Sequence, residues 1–274
     1  MRGPRSRRDR LRPLGPDTLF AVVLLAASSL MLLRANEPIA CETAVPLKIA
    51  AVPTIAPAIR EITNRDVDAG CADIRVVAMT AAQAASMIAA GGPDQPALWI
   101  PDSALWPQRA SQLAASSGVE TPSVRPGRPL ATSPLVVVIA RAHAGRLGWP
   151  DRPVGWRDLV SGSVTGLSTT IGDPLSTTEG LTTLTAVRGL LGGAGTEPAV
   201  AGAMLQVGRD AVPSIRSAYE RLGATADALA FTATEQTVVA HNRDGVEPPV
   251  VAVYPKDGTV ALEYPLVRVV APGE

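Results

Sequence analysis

Residues 172–179 (GDPLSTTE) place three consecutive hydroxyls, Ser176, Thr177 and Thr178, between Asp173 and Glu179, where a strand-like stretch gives way to a helix-like one. The first turn of a helix offers unpaired N–H groups and a partial positive charge, so hydroxyl donors beside it can complete an anion site. The same residues carry a second reading. Ser176-x-x-Glu179 is a capping box, in which Ser176 terminates its own helix, and the two roles are compatible. Asp102 and Ser103 follow a strand-like run at 97–101, with Trp99 and Trp106 close by. An acid at a strand's carboxyl end can hold a cationic or hydroxylated ligand and would oppose an anion. Alternatively, it caps the helix that follows.

Catalytic patterns are missing from the sequence. There is no G-x-S-x-G elbow, no G-x-x-x-x-G-K-[ST] phosphate loop and no G-x-G-x-x-G fingerprint. The two histidines, His143 and His241, lie in helix-like polar stretches and read as solvated surface. The chain therefore reads as a non-enzyme with no catalytic residues. No metal or cofactor is expected either, since neither histidine is near Cys41 or Cys71 in sequence. Aromatic residues make up only 3%, which disfavours a large carbohydrate stacked on aromatic platforms.

The elements that must position these residues begin with a division of charge. Lys plus Arg is 25 and Asp plus Glu is 25 in 274 residues, with 46% hydrophobic side chains. This excludes a disordered chain and a nucleic-acid binder. The balance hides a basic flank: residues 1–12 carry six Arg against one Asp, or +5, whereas from Ala35 onward 18 basic side chains face 23 acidic ones, or −5. Behind the flank, residues 18–33 (TLFAVVLLAASSLMLL) run uncharged to Arg34. As a helix this run is about 24 Å long, enough to span with snorkelling ends. A basic flank ahead of an apolar run stays in the cytoplasm and sends the rest across. Residues 1–17 read as the cytoplasmic flank and 18–34 as a retained transmembrane anchor rather than a cleaved signal. The binding domain would then stand outside the cell membrane. Cys41 and Cys71 each lie just ahead of a strand-like run (47–52 and 74–79), so a disulfide at the amino-terminal edge of two neighbouring parallel strands is expected. It would close a loop of about 30 residues and stabilise by roughly 3 to 4 kcal/mol.

Strand-like and helix-like runs alternate through the first part: strands at 47–52, 74–79 and 97–101, helices at 56–66 and 81–90, the latter opened by a Thr80-x-x-Gln83 capping box. Such alternation predicts parallel strands with helices on the faces. A Pro- and Gly-rich stretch at 125–134 then feeds residues 135–140 (LVVVIA), a strand buried on both faces. Helices at 156–160, 177–191, 197–206, 213–221 and 234–242, with strands at 165–168 and 228–232, fill the next block. After the cluster Glu247-Pro248-Pro249 come strands at 250–254 and 265–270. Two proline-marked crossings predict an α/β chain of two lobes: lobe I from 40–133 and 248–274, lobe II from 134–247. In such folds the cleft gathers the carboxyl ends of strands. That topology places Thr54, Thr132 and Ser133 at the cleft, although Ser and Thr beside Pro are also ordinary turn residues. Tyr254 either plugs the core or lines the cleft.

At the level of whole segments the sequence resembles the type 2 periplasmic-binding-protein superfamily, in particular membrane-anchored actinobacterial substrate-binding domains often followed by a von Willebrand factor type A domain. The segments that carry the likeness are LKIAAVPTIAPAI, LWIPDSALW, ATSPLVVVIAR, IGDPLSTTEGL, TEQTVVAHN and VYPKDGTVALEYP, in that order across 40–270. No D-x-S-x-S metal motif of an adhesion domain is present. The resemblance implies a two-lobed solute-binding protein that captures a small polar ligand, an oxyanion being one candidate, by hinge closure. It also makes Glu235, in Thr234-Glu235-Gln236, a ligand contact where local sequence alone suggests a helix cap. Oxyanion-binding relatives commonly present a Ser after the first strand, where this chain has Val52-Pro53-Thr54-Ile55. A second function class fits the anchor: an envelope interaction or sensory module that keeps the fold and takes a membrane or envelope protein as partner.

Overall fold

The computed structural model describes residues 45–65, 72–120, 123–152, 154–160, 164, 166–191, 197–224 and 228–270. The basic flank, the apolar run at 18–33 and both cysteines lie outside the described residues. Among the described residues no helix is long and apolar enough to cross a membrane. One compact unit takes in Pro46–Arg65 and Asp73–Glu274, and its described part folds as two lobes.

Lobe I begins with β1 (Val45–Ala51), α1 (Ala56–Arg65), β2 (Ala72–Ala78), α2 (Ala81–Ala90), β3 (Leu98–Ile100) and α3 (Leu105–Ser116). β1 and β3 run parallel in register Ile49 to Leu98 and Ala51 to Ile100, with β2 beyond β1. Ala81, Ala84, Ala85 and Ile88 of α2 pack with Ile49, Trp99 and Ile100 in one buried cluster. A face made mostly of alanine lets a helix approach the sheet closely, leaving the volume for Trp99. The capping box at the start of α2 forms as the sequence predicts. Thr80 Oγ1 accepts the Gln83 N–H at 3.2 Å, and Gln83 Oε1 accepts the Thr80 N–H at 3.0 Å.

The expected connection at 125–134 is instead part of one strand, β4 (Ser123–Ala140). Its first part pairs antiparallel with β8 (Ala261–Val270), with register shifts between Pro126 and Pro129 and between Pro129 and Ala131. Proline lacks an N–H donor and survives in a strand at bulges and along an unpaired edge, and this half of β4 provides both. Antiparallel pairing of β8 with β3 and with β4 makes the sheet mixed, not all-parallel as the alternation predicts.

Beyond Pro134 the same strand enters lobe II, which contains α4 (Arg141–Arg146), α5 (Trp156–Val160), β5 (Leu167–Thr170), α6 (Thr178–Leu191), α7 (Glu197–Arg209), α8 (Ile215–Ala224), β6 (Ala228–Thr234), α9 (Glu235–Arg243) and β7 (Val250–Val253). Leu135, Val137 and Ile139 join one buried cluster, and Val136, Val138 and Ala140 join another. A strand sends alternate side chains to opposite faces, so this split is the burial on both faces that LVVVIA predicts.

The return to lobe I comes later than the proline cluster predicts. β7 lies past Pro248 and Pro249, yet it pairs antiparallel with Val137 to Ala140 of β4. Val250, Val251 and Val253 are buried in the two lobe II clusters. An apolar strand gains by staying there, and the crossing falls at 254–260. Asp257 in this crossing caps α5, its Oδ1 accepting the Trp156 N–H at 2.9 Å, while the Trp156 indole donates to Gly258 O at 2.8 Å.

Candidate functional site

The residues at the start of α6 are shaped by Asp173. Its Oδ1 accepts the Leu175 N–H at 3.0 Å, its Oδ2 accepts the Ser176 hydroxyl at 3.0 Å, and its carbonyl accepts the Thr177 hydroxyl at 2.9 Å. Thr177, not Ser176, caps the helix, with Oγ1 accepting the Gly180 N–H at 3.2 Å. The loop folds so tightly onto the first turn that a Cβ on Gly180 would stand 1.9 Å from Gly172 O.

Thr178 reaches across to lobe I. Its hydroxyl donates to Asp102 Oδ1 at 2.6 Å and accepts from the Trp106 indole N–H at 2.6 Å. Asp102 thus joins the lobes and does not cap α3. The N-cap position is Ala104, without a side-chain cap, and Ser103 makes a local turn contact, its Oγ accepting the Leu105 N–H at 3.2 Å. The three hydroxyls expected to receive an oxyanion all donate to the protein's own oxygens in this structure.

Glu179 follows in the same turn and is only 7% exposed. Burial, and then the negative charge of Asp102, push its carboxyl up to about 8. Asp102 keeps part of its surface open, but burial among protein atoms also raises its pKa against the lowering effect of the Thr178 hydrogen bond.

These groups border a cavity of about 650 Å³ between the lobes. Thr54, Asp102 and Trp106 line it from lobe I, and Ser176, Thr177, Thr178 and Glu179 from lobe II. α8 adds Arg216, Tyr219 and Glu220, and α9 adds Thr237 and His241. Tyr219 stacks on His241 with ring centroids 4.5 Å apart at 19°, and packs edge-on against Phe231 at 4.8 Å. Burial pushes the Tyr219 phenol up to about 12. His241 is a packed wall residue, not the solvated one its polar helix predicts, because Nε2 meets Pro248 O at 2.9 Å and the ring is held by Tyr219. His143 is half-buried too, with Nδ1 lacking a partner among the described residues.

Other expected contacts stand apart from the cavity. Ser133 is buried, and its Oγ accepts the Gln236 N–H at 3.1 Å, capping α9 from the neighbouring strand. Thr132 is exposed opposite Glu263 in β8. Glu235 accepts the hydroxyl of Tyr254, which is 47% exposed, so neither the core nor the cavity claims that ring. Glu235 also pushes the Tyr254 phenol up to about 12. Gln236 bridges the lobes instead, its Nε2 donating to Thr54 O and its Oε1 accepting from Tyr264 at 3.4 Å. Sequence reasoning passed over Arg216, Tyr219, Glu220 and Gly223, although their i, i+3, i+4, i+7 spacing marks one helical face. Among the described residues no group of three or more His, Cys, Asp or Glu could hold a metal ion.

A family model described as bacterial extracellular solute-binding protein matches residues 47–272. No curated protein matches the sequence. Among solved structures, the fold is similar to a periplasmic thiamin binding protein, at 14% identity and TM-score 0.60 over 85% of this chain and 75% of that one. It is also similar to the periplasmic binding protein AfuA from Actinobacillus pleuropneumoniae with exogenous fructose-6-phosphate bound, at 13% identity and TM-score 0.59 over 84% and 75%. The sulfate-binding protein SubI from Mycobacterium tuberculosis H37Rv aligns at 19% identity and TM-score 0.57 over 85% and 77%. At these identities the likeness is one of fold. The family match spans both lobes and every residue of the cavity, and the chain belongs to the bacterial extracellular solute-binding protein family.

Proposed function

We propose that this chain is a membrane-tethered receptor that captures a small polar solute between its lobes and performs no chemical conversion on it. The observation that carries this reading is the cavity of about 650 Å³ whose largely apolar wall carries polar side chains from both lobes, a volume suited to a single small molecule. The relatives named for thiamin, fructose-6-phosphate and sulfate use the same architecture for solutes of that size. In this proposal residues 18–33 hold the chain in the cell membrane, the +5 flank stays inside, and Cys41 and Cys71 are bonded on the outer side. Closure about the crossings at 134–135 and 254–260 would trap the solute.

Native mass spectrometry of the full-length chain, gently extracted in detergent, tests the reading. A co-purified small molecule that is lost on dialysis, together with a less compact scattering profile after its loss, is the expected result. A stable protein partner with no small molecule and no change in compactness would favour the envelope interaction module instead.

A further inference from the structure

We propose that Glu179 and Asp102 make the cleft a receptor for a small organic ammonium ion, with Glu179 as the primary counter-ion. The inference rests on the solute-binding reading and names the class of solute.

Glu179 carries the argument. It lines the cavity at 7% exposure. Apart from its own backbone N–H, no hydrogen-bond donor among the described residues reaches its carboxyl group. A buried carboxyl without partners is costly, and a ligand that brings the missing donors removes the cost. The surrounding charge selects the sign. The cavity lining includes four carboxyl side chains, Asp102, Glu179, Glu220 and Glu247, against the single guanidinium of Arg216. Carboxyl groups thus outnumber the one guanidinium even with Glu179 protonated, which favours a cation, and Ser176, Thr177 and Thr178 already donate to Asp173 and Asp102. Tyr219, stacked on His241, offers an aromatic wall against which an alkylammonium can rest.

Binding must also move a proton. With its carboxyl held up to about 8, Glu179 is largely protonated at pH 7 in the empty protein. An ammonium ion pairs with the carboxylate, so capture releases that proton to solvent, and affinity rises by about tenfold per pH unit below that value before levelling off. The phenols of Tyr264 and Tyr219, both pushed up to about 12, stay neutral across this range.

Isothermal titration of the full-length protein in detergent with putrescine, choline and sodium sulfate tests the proposal. Putrescine should bind at pH 7 with an apparent enthalpy that differs between phosphate and Tris buffers, which reports proton release. Glu179→Gln should weaken putrescine at least tenfold and abolish the buffer dependence, while thermal melting confirms that the variant is folded. Asp102→Asn should weaken binding and keep the buffer dependence. Binding of sulfate but neither amine overturns the ammonium proposal and leaves the solute-binding reading standing. Unchanged putrescine affinity in Glu179→Gln overturns it as well. Failure of all three probes overturns the ammonium proposal alone, and the solute-binding reading falls only if no small molecule co-purifies and compactness does not change.

Discussion

Trp106 and Thr178 meet across the cleft from positions 72 residues apart, the indole N–H donating to the threonine hydroxyl at 2.6 Å. The hydroxyl passes the interaction on to Asp102 Oδ1, so one side chain of lobe II holds two groups of lobe I. Thr178 is buried, and the chain of donors has a fixed direction: indole to hydroxyl to carboxylate. Such a latch supplies part of the attraction between the lobes, and a bound solute supplies the rest.

Thr178→Val keeps the shape and removes the hydroxyl. The variant leaves Trp106 and Asp102 short of a partner, at a cost of about 1 to 3 kcal/mol. Urea unfolding should show that loss. Solution scattering of the ligand-free protein should show a larger radius of gyration than wild type. An unchanged radius and midpoint would mean that the latch does not hold the lobes.

Glycine is required at one point in this site. A Cβ on Gly180 would lie 1.9 Å from the carbonyl oxygen of Gly172, and backbone cannot move aside as a flexible side chain can. Gly180→Ala should therefore destabilise by about 3 kcal/mol, at the upper end of overpacking effects. Gly189, in the same helix, faces open space, and Gly189→Ala should stabilise by about 0.5 to 1 kcal/mol through helix propensity alone. The opposite signs, read from denaturation midpoints, separate the close approach from any general intolerance of α6.

Much of this architecture is legible in the sequence because it is local. The Thr80 to Gln83 capping box needs four neighbouring residues, and the two-faced burial of 135–140 follows from six apolar ones in a row. The site is legible only as a set of candidates. Asp102 and Thr178 are 76 residues apart, and nothing in either segment tells that one hydroxyl will serve the other carboxylate. The three hydroxyls at 176–178 look like outward donors until Asp173 turns two of them inward. Arg216, Tyr219 and Glu220 form an amphipathic face of the kind any surface helix has, and only the placement of α8 at the cleft makes that face a wall. The late crossing at 254–260 was hidden for a related reason. Pro248 and Pro249 mark a turn, but pairing with β4 decides which lobe β7 joins.

The proposed bond between Cys41 and Cys71 has a chemical test. The two residues precede β1 and β2, which are neighbours in the sheet. Alkylation of the unfolded protein without reductant should label neither thiol. Cys41→Ala/Cys71→Ala should lose about 3 kcal/mol, the value expected for a loop of this length. Two alkylated thiols in protein trapped with the alkylating agent at cell lysis would overturn the pairing.

Glu179 gives the ligand-free protein an unusual pH profile. Its carboxyl is raised from an ordinary 4.5 to about 8, first by burial and then by the charge of Asp102. The folded state therefore holds a proton that the unfolded chain gives up. That contribution is fully present below about pH 4.5, falls as pH rises, and is gone above about pH 8, a change on the order of a few kcal/mol. Asp102, also raised by burial, adds a slope of the same sign that begins at lower pH. Urea midpoints should decrease from pH 5 to pH 8.5 in the empty wild-type protein, and Glu179→Gln, which cannot ionise, should flatten most of that slope. A saturating ammonium ligand should flatten it, because above about pH 4.5 the bound carboxylate, like that of the unfolded chain, carries no proton. A wild-type midpoint that rises over this interval, or a Glu179→Gln variant with an undiminished slope, would show that the charge of Glu179 is settled by partners other than the cavity.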